Sequence, residues 1–435
     1  MEIKMSKDPS YKDAGVEWLG KIPEHWDVLP GLSFIFENKE RNKGMIRNKI
    51  LSLSYGNIRV KGEDELTGLV PESFETYQFV NKGDLIFRPT DLQNDTVSLR
   101  SSISEYDGII TNAYLNLRFK SKAHSKFFHY FFRAIDNNKV IYGLGSGLRQ
   151  NISYLDFRRF QFPFPPLPEQ TAIAQYLDEK TALIDKAIDI KQKQIALLKE
   201  RRQIIIQQAV TRGLDPNVKM KDSGVEWIGE IPEHWEVKRL GVITDVIDPQ
   251  PDHRAPKMDD NGLPYLGIRD INDDGTINIY TARMVDIKAI EKQERSFTLN
   301  DGDILYGKVG TLGNPKRVIL GGERVALSAT LVIIKNKSEL LTRYLKYALD
   351  SELLYAQIER IITGATRPAL GIQQIRKFQI VIPSEFDLLN VIEHLETASS
   401  KIATAISLKE KEIEKLKEYK STLINSAVTG KIKVS

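Results

Sequence analysis

From Leu177 onward, core-type positions recur at alternating spacings of four and three: Leu177, Thr181, Ile184, Ile188, Lys191, Ile195, Leu198, Arg202, Ile205 and Ala209. A second run keeps the same phase: Leu395, Ser399, Ile402, Ile406, Lys409, Ile413, Leu416, Lys420, Leu423 and Ala427. This is a heptad seam, the pattern of helices that pair along a narrow stripe. It predicts long helices at about 169–211 and 386–428. A seam of about 34 residues rising ~1.5 Å each makes a rod of roughly 50 Å. Both seams carry a Lys in the middle and a basic residue later, which register control or an exposed edge explains. Each helix either packs on its own globular segment alone or pairs with the other. The matched, narrow seams favour an antiparallel two-helix coiled coil. That arrangement predicts a rod separating two similar domains, a pseudo-two-fold relation, and chain ends that lie close together.

Ahead of each long helix the pattern is mixed. Short β-rich runs at 50–55, 85–87, 113–119, 304–306 and 329–334 alternate with Gly, Asn and Asp turns. Helical patches at 125–134 and 340–362 are interspersed. The prediction is an α/β (mixed α+β) globular domain, present twice.

The duplication is visible in the letters. Residues 12–28 read KDAGVEWLGKIPEHWDV and residues 221–237 read KDSGVEWIGEIPEHWEV, an offset of 221 − 12 = 209. In the same order, NKGDLIF at 81–87 matches NDGDILY at 300–306, RRFQ at 158–161 matches RKFQ at 376–379, and QAVT at 208–211 matches SAVT at 426–429. The halves diverge most in the middle of each globular segment.

Composition narrows the classes. A chain of 435 residues exceeds one ordinary core. It has no cysteine, so disulfides and thiolate metal sites are excluded, and the cytoplasm is the natural compartment. No stretch has the length and apolarity of a membrane span, and residues 1–11 lack the apolar core of a signal peptide. A net charge of +4 is only mildly basic, so any electrostatic work on nucleic acid falls partly to a partner.

Two related readers held at a fixed distance suit a bipartite DNA target, and divergent middles suit unlike half-sites. The GVEWLGKIPEHW and GVEWIGEIPEHW pair, the PPLPEQ run at 165–170 and the AVTRG helix ending at 209–213 carry a resemblance over essentially the whole chain. The chain resembles the type I restriction–modification specificity subunits. The resemblance implies a first target recognition domain at 1–165, a conserved helical region at 166–214, a second recognition domain at 215–384 and a second helical region at 385–435. It implies double-stranded DNA, two DNA adenine methyltransferase subunits and two restriction (motor-nuclease) subunits as partners. S-adenosylmethionine, ATP and magnesium would then bind those partners and not this chain, which would carry out no chemistry. One departure stands out: IPSEFD at 382–387 replaces PPLPEQ before the second helix, so docking there is expected to use different contacts.

Catalytic motifs are lacking in the sequence. There is no Asn/Asp-Pro-Pro-Tyr/Phe methyltransferase site and no G-x-x-x-x-G-K-[ST] phosphate loop. The glycine-rich stretch 143–147 reads as a flexible loop. A nuclease-like Pro251-Asp252 with Asp286-Ile287-Lys288 reads as a chance pattern. His25 and His234 occupy equivalent repeat positions and read as structural hydrogen-bonding groups.

Direct readout needs Arg, Lys, Asn or Gln on exposed loops. The candidates are Arg88, Asn94, Arg100, Arg149, Gln150 and Asn151 in the first segment, and Arg269, Lys308, Arg317 and Arg367 in the second. Each could instead be an ordinary surface charge or a phosphate contact. Pro166, Leu167, Glu169, Gln170, Trp18 and Trp227 are candidates for partner docking. The four tryptophans could alternatively brace each domain against the foot of its helix. A non-enzymatic coiled-coil scaffold with duplicated protein-binding domains is the alternative reading of the whole chain, and retention on double-stranded DNA discriminates the two.

Overall fold

The structure is a computed structural model describing residues 10–65, 73–92, 99–144, 151–252, 254–362 and 368–434. The chain divides into two compact units: Met1–Lys191 with Glu410–Ser435, and Gln192–Lys409. Each unit joins one globular segment to a stretch of each long helix, because both helices contribute side chains to its core.

In the first unit, Tyr11–Asp13 and Lys21–Pro23 form a hairpin, and Asp27–Pro30 pairs antiparallel with Gln161–Phe164. Between these lies an antiparallel sheet in the order Ile35–Glu37, Leu115–Phe119, Leu85–Phe87, Ser101–Ile103. The helix Ser125–Asn137 packs into the same core. It places Phe127, Phe128, Phe131 and Phe132 there, and the i, i+4 spacing of two pairs makes a single aromatic face. The hairpin Leu51–Ser54 with Asn57–Val60 and the pair Gln78–Val80 with Gly108–Ile110 form a smaller layer.

The second unit repeats this plan. Met220–Asp222 pairs with Glu230–Pro232, and Glu236–Arg239 with Gln379–Ile382. Its sheet runs Asp245–Ile247, Leu331–Lys335, Ile304–Gly307, Gly313–Arg317 in the same order. The middle differs, as the sequence divergence foretold: Met258–Leu266 pairs antiparallel with Arg283–Val285 and parallel with Ala326–Leu327. The helical patch at 340–362 is two helices, Glu339–Ala348 and Glu352–Ile362. The break is local. Ser351 Oγ donates to Ala348 O at 2.7 Å, and Asp350 turns to pair with Arg202 at 3.0 Å.

The long helices span Leu167–Arg212 and Glu385–Val428. Every seam position predicted above is buried or half-buried. Within the first unit the two stretches run antiparallel. Asp185 bonds Lys420 at 2.7 Å and Lys191 bonds Glu412 at 2.5 Å, so one helix ascends as the other descends. Leu177 and Ile184 share a core there with Leu423, Ile424 and Ala427. Three of the four basic seam residues are partnered: Lys191 and Lys420 across the helix pair, Arg202 with Asp350. In the second unit, Ile206, Ala209 and Val210 share a core with Val391, Ile392 and Leu395. Helix pairing and packing on a globular segment both occur.

The foot of each helix is fixed by one repeated arrangement. In the first unit, Trp26 Nε1–H donates to Glu169 Oε1 at 3.0 Å, and His25 Nε2 lies 2.9 Å from Glu169 Oε2. In the second, Trp235 Nε1–H donates to Asp387 Oδ2 at 2.7 Å, with His234 Nε2 at 2.6 Å. The other helix ends on the same indole. Gly430 has φ +70°, and a Cβ there would lie 2.3 Å from Pro23 Cδ and 3.2 Å from Trp26. Gly213 has φ +73°, and a Cβ there would lie 3.2 Å from Trp235. Glycine is needed at both places, for the left-handed turn and for the close approach. Tyr11 Oη donates to Gly430 O at 3.1 Å, which brings the two ends of the described chain together within this unit.

Ser384 caps the helix Glu385–Val428: its Oγ accepts from Asp387 N at 3.3 Å and donates to Asp387 Oδ2 at 3.1 Å. Burial would raise the Asp387 carboxyl, but hydrogen bonds from Trp235, His234 and Ser384 win and hold it below the usual aspartate range. The sign follows. This stabilisation is full above the ordinary aspartate pKa and is lost as pH falls through the depressed folded value. Asp387→Asn should lower the unfolding free energy, read from urea titration at neutral pH, by about 1–2 kcal/mol and flatten its acid dependence. A wild-type and a mutant curve that stay parallel from pH 7 to pH 3 would rule this out.

Candidate nucleic-acid interface

The strand Leu85–Phe87 delivers Arg88 to its end, half-buried; burial raises the pKa of the nearby Tyr114 hydroxyl, and the Arg88 charge opposes that rise. The following turn is held from behind by Arg100. Its guanidinium donates to Thr90 O at 2.6 Å and Asp91 O at 2.9 Å, and its side chain is 0% exposed. Burial raises the Asp136 carboxyl beside it, against the pull of the Arg100 N–H and guanidinium. Asn151 is exposed and lies next to this turn, since Ile152 N–H donates to Pro89 O at 2.9 Å.

The second unit builds the same junction. Lys308 follows the strand Ile304–Gly307, and Leu370 N–H donates to Lys308 O at 2.8 Å. Gly310 N–H donates to Pro368 O at 3.2 Å. The Lys308 side chain turns inward, 3% exposed, and pairs with Asp248. Arg317 stands opposite Ile304, at the far end of this strand pair from Lys308, and pairs with Glu339. Arg269 is exposed. Asn94, Arg149, Gln150 and Arg367 lie outside the described residues, as does most of the 143–147 loop.

The structure thus brings Arg88 and Asn151 to one junction and separates Arg317 from Lys308. It places Arg100 and Lys308 where they serve the fold. An arginine with no exposed surface reaches no base edge, and its role here is to hold the turn that carries its neighbours. Sequence reasoning could not see this, because an interior arginine and a surface one have the same letter.

The docking candidates divide similarly. Glu169 is engaged by His25 and Trp26. Gln170 is fully buried, with Nε2 donating to Pro165 O at 2.8 Å and Oε1 accepting from His124 N at 2.8 Å. Pro166 and Leu167 remain exposed. Trp18 stacks on Phe160, with ring centroids 5.4 Å apart. Trp227 is partly exposed under the Arg360 guanidinium, 4.9 Å away. The departure at 382–387 is one of spelling more than of contact. Glu169 and Asp387 are related by 387 − 169 = 218, the offset that also relates the RRFQ and RKFQ runs. That offset was the signal that would have found the shared anchor.

Asp252 pairs with Lys292, and Asp286 caps the helix Ile287–Glu294 by accepting from Lys288 N at 3.0 Å. Among the described residues, no group of three or more His, Asp or Glu side chains is placed to hold a metal ion. No helix among them is long and apolar enough to cross a membrane.

The duplicated plan matches a known family twice. Residues 35–200 and 232–418 match the type I restriction modification DNA specificity domain. The chain belongs to that family and carries two copies of its domain. It is 22% identical to the putative type I restriction enzyme MjaX specificity subunit of Methanocaldococcus jannaschii, over 99% of both chains. It is 25% identical to the MjaVIII specificity subunit of the same organism, over 64% of this chain and 63% of that one. Two solved structures share the fold. A chain from a type I R-M system, whose structure addresses complex assembly and conformational transition, superposes with a TM-score of 0.67 and 14% identity over 94% of this chain and 98% of that one. The HsdS subunit from Thermoanaerobacter tengcongensis superposes with a TM-score of 0.50 and 15% identity over the same shares.

Arg100→Ala and Lys308→Ala should each destabilise their own unit by about 3 kcal/mol, because they leave buried carbonyls or Asp248 without a cation. Urea unfolding checks this. A change in DNA preference with unaltered stability would contradict the assignment.

Proposed function

We propose that this chain is the specificity subunit of a type I restriction–modification complex. In that role it reads a two-part, asymmetric site in double-stranded DNA and docks two adenine methyltransferase and two restriction subunits. It is non-catalytic. S-adenosylmethionine, ATP and magnesium act on its partners. The observation that carries this reading is the pair of specificity domains, alike in strand order and helix anchoring but unlike in the segments between. Repeated scaffolds with divergent middles are what two different half-sites require.

Each domain contributes phosphate contacts that position it and base contacts that specify. Arg88 and Asn151 serve the first half-site, with Asn94, Arg149 and Gln150 as further candidates from its sequence; Arg269 and Arg317 are the described candidates for the second, with Arg367 as a further one from its sequence. The helical regions set the distance between half-sites. Deleting one heptad from each long helix should change the unread spacer by a fixed number of base pairs and leave both half-sites intact, as read by methylome sequencing. An unchanged spacer defeats the ruler.

Docking has its own support. Leu183 and Ile190 in the first unit stand 61% and 45% exposed, although they are apolar. Leu197 and Ile204 in the second are 62% and 53% exposed, again seven residues apart. An outward apolar row at heptad spacing suits a partner helix. Leu183→Lys with Ile190→Lys should reduce methyltransferase recovery on a tagged chain about ten-fold or more without lowering thermal stability. Full recovery would place docking elsewhere.

A further inference from the structure

The segment linking Ile35–Glu37 to Leu51–Ser54 reads NKERNKGMIRNK at 38–49: five cations against one carboxylate in twelve residues. Two of its five cations are engaged within the fold. Lys39 pairs with Glu37 at 2.9 Å, and Arg47 donates to Val80 O at 2.8 Å and Asn81 Oδ1 at 2.9 Å. Arg41, Lys43 and Lys49 are exposed and make no ion pair among the described residues.

The loop is nevertheless built, not loose. Asn42 is 0% exposed and clamps it: its Nδ2 donates to Arg47 O at 2.8 Å and its Oδ1 accepts from Arg47 N at 2.9 Å. Gly44 N–H donates to Glu75 Oε1 at 2.7 Å. Gly44 and Met45 both take left-handed backbone, φ +74° and +51°. A methionine there costs free energy that the surrounding contacts must offset. The outcome is an apex that pushes apolar side chains into solvent, with Met45 55% and Ile46 77% exposed.

Apolar groups at the tip of a rigid loop, ringed by unpaired cations, fit a polyanion with an apolar interior. Duplex DNA is that surface. Lys and Arg meet phosphates, while Met or Ile meets a thymine methyl or enters between base steps. We propose that the 38–49 loop is a DNA-contacting element of the first recognition domain, with Met45 and Ile46 touching bases and Arg41, Lys43 and Lys49 touching backbone. The proposal rests on the specificity reading above. The topologically equivalent segment of the second unit, between Asp245–Ile247 and Met258–Leu266, is PQPDHRAPK at 249–257. It holds other residues at the same station, as unlike half-sites demand.

The test uses the complex isolated on a tagged full-length chain, with a random-sequence duplex DNA library as probe. Wild type should enrich a two-part sequence. Met45→Ala with Ile46→Ala, at positions too exposed to threaten folding, should relax one half-site by about five- to a hundred-fold, leaving the other half-site and the salt dependence unchanged. Lys43→Ala should weaken all duplexes alike and reduce the salt slope by about one. If wild type enriches a two-part site and both variants match it in affinity, sequence and salt slope, the loop assignment is overturned while the specificity reading stands. If the double variant sheds methyltransferase but keeps its DNA preference, the loop is a protein interface and the assignment is likewise overturned. If wild type enriches nothing, the specificity reading itself fails and the loop's base contact fails with it.

Discussion

An indole N–H and an imidazole nitrogen meeting one carboxylate fix where each long helix begins. Trp26 and His25 hold Glu169; Trp235 and His234 hold Asp387. Each indole is 1% exposed, so its N–H must find an acceptor inside the protein, and the carboxylate in the first helical turn is the acceptor supplied. That position also suits the positive end of a helix. The same ring receives the glycine that ends the other helix. One side chain thereby ties a globular segment, the start of one helix and the finish of another. Remove it and the helix stretches in that unit lose their common reference.

From this anchor the rest of each unit can vary. The hairpin, the closing strand pair and the four-stranded sheet recur in both, and all lie close to the helix feet or frame the core above them. The segments that diverge are those between the frame strands, which build small cores of their own, around Leu51, Val80 and Ile110 in the first unit and around Val285, Ile290 and Ala326 in the second. A protein that must keep its partners while changing its target gains from such a division.

Charge is sorted by the same logic. Arg100 and Lys308 have left the surface, one to hold carbonyls of a turn and the other to pair with Asp248. Lys191 and Lys420 cross the helix pair to carboxylates. The cations left exposed near the variable loops are then a selected subset. Net charge understates them, because many of the chain's positive charges are matched one by one inside the structure.

The sequence by itself determined the duplication, the mixed α/β class, the two long helices and their heptad phase, because these are periodic or repeated and periodicity survives without coordinates. It also placed Leu85–Phe87, Leu115–Phe119, Ile304–Gly307 and Leu331–Lys335 as strands to within two residues, though not the strand pairs near the helix feet, and marked His25 and His234 as structural. What only the tertiary structure decided is which way individual polar side chains turn. Arg88 and Arg100 are alike in the sequence, yet one stands at a strand end and the other is wholly interior. Glu169 looked available for docking and is engaged by a tryptophan 143 residues away in the chain. The 340–362 stretch reads as one helix, yet Asp350 turns to meet Arg202 from a distant helix and Ser351 ends the first of two. Such outcomes depend on contacts between residues far apart in the chain, and no local pattern encodes them.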